Sequence, residues 1–251
     1  MLSAAEIARL IDHSLLHPTM TDQELESGCR LALEYEVASV CTKPYAVAQA
    51  VRWLAGSPVA AGTVVGFPHG NSAVAIKAAE TRQACSEGAT EIDMVVNIGK
   101  VLSREWGYVR DEIGAVLEET RRGGGLLKVI FENDFLPEDE YKIRLCELCS
   151  ELGADFVKTS TGYGFVKGPD GRYDYRGATD HDLRLMRLHS APAVQVKAAG
   201  GIRTLDQVLH VHSLGVTRVG ASATAAILSE ARHRKSGDAR EFRAERQPDG
   251  Y

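Results

Sequence analysis

Apolar positions along the chain come in two alternating textures. Short, nearly continuous apolar runs of the kind that fill a buried strand alternate with longer stretches whose apolar residues recur at helical spacing. The strand-like runs are Ile11-Asp12-His13-Ser14, Val37 to Cys41, Thr63-Val64-Val65-Gly66, Glu91 to Asn97, Leu126 to Glu132, Phe156-Val157-Lys158, Ala193 to Lys197 and Val216 to Gly220. Helix signals lie between them. Ser3-x-x-Glu6, Thr21-x-x-Glu24 and Thr204-x-x-Gln207 read as helix starts in which side chain and backbone cap each other. Pro44 and Pro137 suit a first helical turn. Thr179 caps a stretch carrying Leu183, Met186 and Leu188, and a last helix begins near Ser222. Gly88, the Gly123-Gly124-Gly125 break and Gly153 mark helix ends.

Strand and helix alternate eight times, which predicts an α/β fold: a single (β/α)8 TIM barrel with a short N-terminal helix. One domain spans residues 1–251, the last part from about Ser229 or Glu230 being a charged, Gly/Ser/Pro-containing flexible tail. An open doubly wound sheet is the alternative. It usually carries a glycine-rich turn after its first strand, which Asp12-His13-Ser14-Leu15 is not.

Composition narrows the classes of partner. A net charge of −5 over 251 residues gives no reason to expect nucleic acid or an anionic membrane. No apolar run approaches the roughly 20 residues that span a bilayer, and no signal-peptide pattern opens the chain. Cys29, Cys41, Cys85, Cys146 and Cys149 are an odd, scattered set suited to a reducing cytoplasm. Cys146-x-x-Cys149 lies in a helical pattern without a second pair, so two half-buried helix cysteines are expected there. His181, His210 and His212 read as helix-surface residues with no metal-ligand spacing.

Candidate chemistry gathers at the carboxyl ends of the strands, where barrels of this type carry their sites. Those ends present Asp12, Cys41, Phe67-Pro68-His69-Gly70, Asp93 with Asn97, Glu132, Lys158, Lys197 and Ser222. Lys158 is the anomaly, since a lysine closing the buried run Phe156-Val157 loses hydration, and desolvation disfavours the ammonium form. Lys197 closes the next strand, so each cation depresses the other and one amine becomes free to attack a carbonyl. Asp93 is placed to pair with the protonated lysine and pass protons through a water. Gly200-Gly201-Ile202-Arg203 and Gly220-Ala221-Ser222 follow strands seven and eight, the two loops that commonly cradle a phosphate with backbone N–H groups.

These segments resemble 2-deoxyribose-5-phosphate aldolases over nearly the whole length. The resemblance rests on Asp12-His13-Ser14-Leu15-Leu16, Val40-Cys41, Gly66-Phe67-Pro68-His69-Gly70 and Glu91-Ile92-Asp93-Met94-Val95-Val96-Asn97. It continues through Leu127-Lys128-Val129-Ile130, Ala154 to Gly162 and Val196 to Ile202. It implies a class I Schiff-base aldolase, cleaving 2-deoxy-D-ribose 5-phosphate to glyceraldehyde 3-phosphate and acetaldehyde with no metal or cofactor. Lys158 would form the Schiff base, Lys197 lower its pKa and Asp93 run the proton relay. Asp12, Cys41 and Thr161 would line the pocket, Cys41 as a reactive but non-essential thiol. Gly162, Gly200, Gly201, Gly220 and Ser222 would hold the phosphate. Tyr251 is a candidate proton-relay residue, because some relatives end in a tyrosine that folds into the site. A cytoplasmic homo-oligomer, dimer or tetramer, is expected.

Three departures stand out: Thr42-Lys43-Pro44-Tyr45 after Cys41, Glu132-Asn133-Asp134 in place of a Glu-Thr pair, and an insertion from Val166 to Arg176. The insertion reads as a surface hairpin turned by Pro169-Asp170-Gly171. Its alternative is a lid whose Lys167, Arg172 or Arg176 touches substrate, which would favour a related aldolase acting on another phosphorylated or acidic sugar. A silent phosphosugar-binding protein and a metal-dependent lyase are the readings from other classes.

Overall fold

A computed structural model of the chain describes residues 2–236. Helix α1 (Ala4–Ala8) leads into strand β1 (Ile11–Leu15), followed by α2 (Asp22–Tyr35), β2 (Ser39–Thr42), α3 (Val47–Trp53) and β3 (Ala60–Val65). Next come α4 (Val74–Ser86), β4 (Glu91–Val95), α5 (Ile98–Leu102), α6 (Trp106–Arg122), β5 (Leu126–Ile130), α7 (Asp139–Leu152) and β6 (Phe156–Lys158). A two-stranded hairpin, β7 (Val166–Lys167) and β8 (Tyr173–Asp174), precedes α8 (Asp180–His189), β9 (Gln195–Ala199), α9 (Leu205–Ser213), β10 (Arg218–Ala221) and α10 (Thr224–Ser236). Eight parallel strands close into a barrel in the order β1-β10-β9-β6-β5-β4-β3-β2, so the predicted (β/α)8 fold is the fold observed.

Local chemistry explains the boundaries. Capping boxes are formed at Ser3/Glu6, Thr21/Glu24 and Thr204/Gln207, each placing a hydroxyl on the N3 amide and a Glu or Gln on the cap amide. Such a cap is worth about 1 kcal/mol. The Thr179 hydroxyl accepts from Asp182 N in the same way. Asn97 caps the short helix α5, its side chain accepting from Lys100 N. Apolar packing lies mainly between barrel and helices, with Ile92, Leu127, Val157, Val196 and Val219 fully buried against Val109, Ile113, Leu145, Met186 and Val208. The barrel axis carries charged side chains instead.

One stretch differs from the sequence reading. Residues after Ser229 continue as helix to Ser236. Within this helix Ile227, Leu228 and Ala231 are buried, while Arg232 and Arg234 are exposed. Arg234 pairs outward with Glu230 at 2.5 Å and Asp206 at 2.6 Å. Residues 237–251, with the Tyr251 relay candidate and the rest of the expected tail, lie outside the described residues. The Val166–Arg176 insertion forms the antiparallel hairpin, Val166 pairing with Asp174 and Lys167 with Tyr173. Among the described residues no helix is long and apolar enough to cross a membrane.

Candidate active site

Strand register brings the strand-end residues together. Lys158 on β6 lies opposite Lys197 on β9, Lys197 opposite Arg218 on β10, and Asp93 on β4 opposite Lys128 on β5. Partners at one register level share a face, so these side chains all turn into the barrel. Asp93 is the hub. Its Oδ2 accepts from Lys158 Nζ and from Lys197 Nζ at 2.7 Å each, and its Oδ1 from Lys128 Nζ at 2.9 Å. Lys197 Nζ also donates to Asp12 Oδ2 at 2.5 Å. Asp12 Oδ1 is held by Ser39 Oγ at 2.7 Å and Arg218 Nη1 at 2.5 Å. Lys128 donates to Glu91 at 2.5 Å, and Arg218 bridges back to Glu91 at 3.0 Å.

Four cations (Lys128, Lys158, Lys197, Arg218) therefore face three carboxylates (Asp12, Glu91, Asp93) in a buried space. One cation is in excess, and buried charge without compensation is costly. The group that relieves the excess most easily is Lys158, whose one carboxylate contact is with an Asp93 already shared by two other ammonium groups. Burial lowers its pKa, and the Lys197 charge lowers it further against the pull of Asp93. Burial also works against Lys197 and Lys128, but Asp12 and Asp93 outweigh it at Lys197, while Asp12, Asp93 and Glu91 do so at Lys128, and both are raised. Asp93 is itself pushed up by burial but held well below the carboxylate range by the three lysines. The result is an amine of lowered pKa beside an ammonium of raised pKa and a carboxylate of lowered pKa. Such an amine can attack a carbonyl carbon.

The loops above this network carry the other expected residues. Thr161 donates its hydroxyl to Glu132, and its amide donates to Glu132 Oε1 at 3.1 Å. Glu132 adopts φ 58, a conformation uncommon for a non-glycine residue, and burial raises its pKa. Gly162, Gly200 and Gly201 have φ of +88, +93 and +84, so glycine is required at each, and nothing occupies the space over Gly162 and Gly201. Because β6, β9 and β10 are neighbours, these loops and Ser222, just before α10, crowd one side of the barrel mouth. Gly220 sits inside β10 rather than in the loop beyond it. A Cβ there would be 3.3 Å from that of Ala199 and 3.5 Å from Lys197 Cε, so its bare backbone makes room for the lysine.

Two pocket expectations are revised. Asp12 is fully buried beneath Lys197, where it holds that ammonium in place rather than lining open space. Cys41 packs with Leu16 and Val64 against Phe67 and Tyr163. Burial, with Asp93 adding to it, pushes its thiol up to about 11, which works against the reactivity the resemblance implies for this thiol. Cys146 and Cys149 are fully buried rather than half-buried. His181 does meet Asp139 and Asp182, yet the Lys142 ammonium lies 3.0 Å from Asp139 and 2.7 Å from Asp182, so a cation already serves those carboxylates.

Sequence reasoning missed Lys128, Glu91 and Arg218 as members of the site. The signal was present in Leu126-Leu127-Lys128-Val129-Ile130, where a lysine in an apolar strand is the same anomaly that singles out Lys158.

The chain is similar to known proteins along most of its length. The profile of the family described as DeoC/LacD family aldolase covers residues 7–229. The deoxyribose-phosphate aldolase of Rhodopirellula baltica is 54% identical over 227 residues, 90% of this chain and 90% of that protein. That of Clostridium perfringens is 43% identical over 222 residues, 88% of this chain and 94% of its own length. The tetrameric structure of deoxyribose phosphate aldolase from Aeropyrum pernix superposes with a TM-score of 0.81 at 26% identity, over 92% of each chain. With a profile match across nearly all of the barrel and a relative sharing more than half its residues, this chain belongs to the DeoC/LacD aldolase family.

Proposed function

We propose that the protein is a class I aldolase that reversibly cleaves 2-deoxy-D-ribose 5-phosphate to D-glyceraldehyde 3-phosphate and acetaldehyde, with Lys158 as the Schiff-base nucleophile. The observation that carries this reading is the shared Asp93 oxygen, which sets a depressed Lys158 amine against a raised Lys197 ammonium. The named activity of the Rhodopirellula baltica and Clostridium perfringens relatives supports the choice of sugar.

Lys158 Nζ attacks the aldehyde carbon of the open-chain sugar, and loss of water gives an iminium. That restores the surplus positive charge in the barrel. Cleavage of the C2–C3 bond sends the bonding electron pair into the iminium, leaving a neutral enamine, so the charge balance that favours neutral Lys158 also favours bond breaking. A water held by Asp93 takes the proton of the C3 hydroxyl, which becomes the aldehyde oxygen of glyceraldehyde 3-phosphate. Protonation of the enamine carbon and hydrolysis release acetaldehyde and the free amine. Gly162, Gly200, Gly201 and Ser222 hold the phosphate through backbone N–H groups near the α10 N-terminus, where an anion is favoured. Gly220 supports the grip from within β10.

The alternative acidic-sugar reading needs cations from the hairpin in the site. Arg172 and Arg176 have side chains 89% and 74% exposed, with Arg172 nearest Asp170 and Arg176 nearest Asp134, so no observation favours that reading. The family relationship to the tetrameric Aeropyrum pernix protein supports a homo-oligomer, and five free cysteines suit the expected reducing cytoplasm.

Borohydride reduction in the presence of deoxyribose 5-phosphate, followed by mass mapping, tests the assignment. The expected result is an adduct on Lys158. No adduct, or one confined to Lys197, overturns it. Lys158→Arg, which has no amine able to form an imine, abolishes cleavage.

A further inference from the structure

Two of the departures noted in the sequence, Asp134 and the Val166–Arg176 insertion, meet in space. We infer that Asp134 and the β7–β8 hairpin act as one positioning device for the phosphate grip, in which the Asp134 carboxylate fixes Gly177 and Ala178 against Gly200. The inference rests on the phosphate role given above to the glycine loops.

Asp134 lies in the turn after β5 with its side chain 4% exposed. Its Oδ1 accepts from Arg176 N at 2.8 Å and its Oδ2 from Gly177 N at 2.9 Å. Charge-assisted bonds of this kind are roughly twice as strong as neutral ones. They pin the exit leg of the hairpin where it touches the loop after β9. A Cβ on Gly177 would come within 2.6 Å of Gly200 O, so the two backbones are in direct contact. Ala178 N donates to Gly200 O at 3.2 Å. The Tyr175 ring edge lies 3.3 Å from the place a Gly200 Cβ would take, and Phe165 braces that ring edge-on at 5.2 Å.

Gly200 needs this support. Two consecutive glycines at positive φ lose more conformational freedom on ordering than any other pair, and an amide cradle binds tightly when that cost is met before the anion arrives. The exposed hairpin arginines make the hairpin a brace for the loop, acting through backbone contact and not through charge on the substrate.

The test compares wild type with Asp134→Ala, Asp134→Asn and Tyr175→Ala. Steady-state cleavage is measured on 2-deoxyribose 5-phosphate and on unphosphorylated 2-deoxyribose, with inorganic phosphate as competitive inhibitor. In Asp134→Ala, KM for the phosphosugar and Ki for phosphate rise together about tenfold, on the scale of a lost charge-assisted bond, while kcat stays within about twofold. Cleavage of deoxyribose is unchanged. Asp134→Asn, which keeps one acceptor oxygen, falls between, and Tyr175→Ala shows the same pattern with smaller size. Borohydride trapping with acetaldehyde, which has no phosphate, labels Lys158 equally in all four proteins. Unchanged phosphate Ki, or an equal loss on both sugars, overturns the inference. If Asp134→Ala does not fold by circular dichroism, Tyr175→Ala decides under the same criteria. A wild type that gives no Lys158 adduct refutes the aldolase reading itself, a result distinct from either.

Discussion

Replacing Lys197 by methionine is expected to silence Lys158 without touching it. Both ammonium groups sit 2.7 Å from the same Asp93 oxygen, which places their nitrogens roughly 4–5 Å apart. Two unit charges about 5 Å apart interact by about 3 kcal/mol at an effective dielectric of about 20. That is roughly two pK units at 1.36 kcal/mol each. A second effect has the same sign. Without Lys197, three cations face three carboxylates, and Lys158 becomes one of the required counter-charges. Its pKa therefore rises, and at fixed neutral pH the free-amine fraction falls by up to about a hundredfold. The assay is the pH dependence of kcat/KM, paired with the rate of borohydride trapping by acetaldehyde, for wild type, Lys197→Met and Lys197→Arg. The acid limb moves up by about two units in Lys197→Met, and Lys197→Arg, which keeps the charge, lies nearer wild type. An acid limb at the wild-type pH in Lys197→Met would refute the electrostatic account. So would an arginine variant displaced as far as the methionine one.

Two further expectations concern stability. Lys77 and Glu112 form a fully buried pair at 2.7 Å between α4 and α6, with Lys77 also donating to Gly70 O and Val95 O. Glu112→Leu alone strands a buried ammonium and costs about 3–5 kcal/mol, whereas Lys77→Met with Glu112→Leu recovers at least half of it; additive losses in urea unfolding would count against this. His13 is buried with Nδ1 2.8 Å from Thr224 Oγ1, and burial lowers its pKa from 6.5 to about 4. Between those values the unfolded chain binds a proton that the folded protein refuses, so stability falls as pH drops from 6.5 to 4, by up to about 3 kcal/mol. His13→Gln flattens that part of the curve, and an unchanged difference between urea midpoints at pH 7 and pH 5 would remove His13 as its source.

Much of this protein was legible before any coordinates. Period and capping gave the eight strand–helix units, because helix starts such as Thr21/Glu24 are local events decided within four residues. Lys158 was legible too, as a charge closing an apolar strand. Lys128 carried the same signal, but its role, like that of Arg218, depends on which strands lie beside it after the barrel closes. Likewise Asp12 looked like a pocket wall because its partners Lys197 and Arg218 are remote in the chain. The insertion was visible as a hairpin, but its junction with Asp134 was not, since a carboxylate accepting two backbone amides leaves no periodic trace in sequence.

The amino-acid order alone thus determined the barrel and pointed to the proposed nucleophile, through propensities and hydrophobic periods that act over a few residues. Tertiary structure decided the charge count around that nucleophile. A pKa follows from distances among seven side chains on six strands, all but Arg218 buried, and those distances exist only once the sheet has closed on itself.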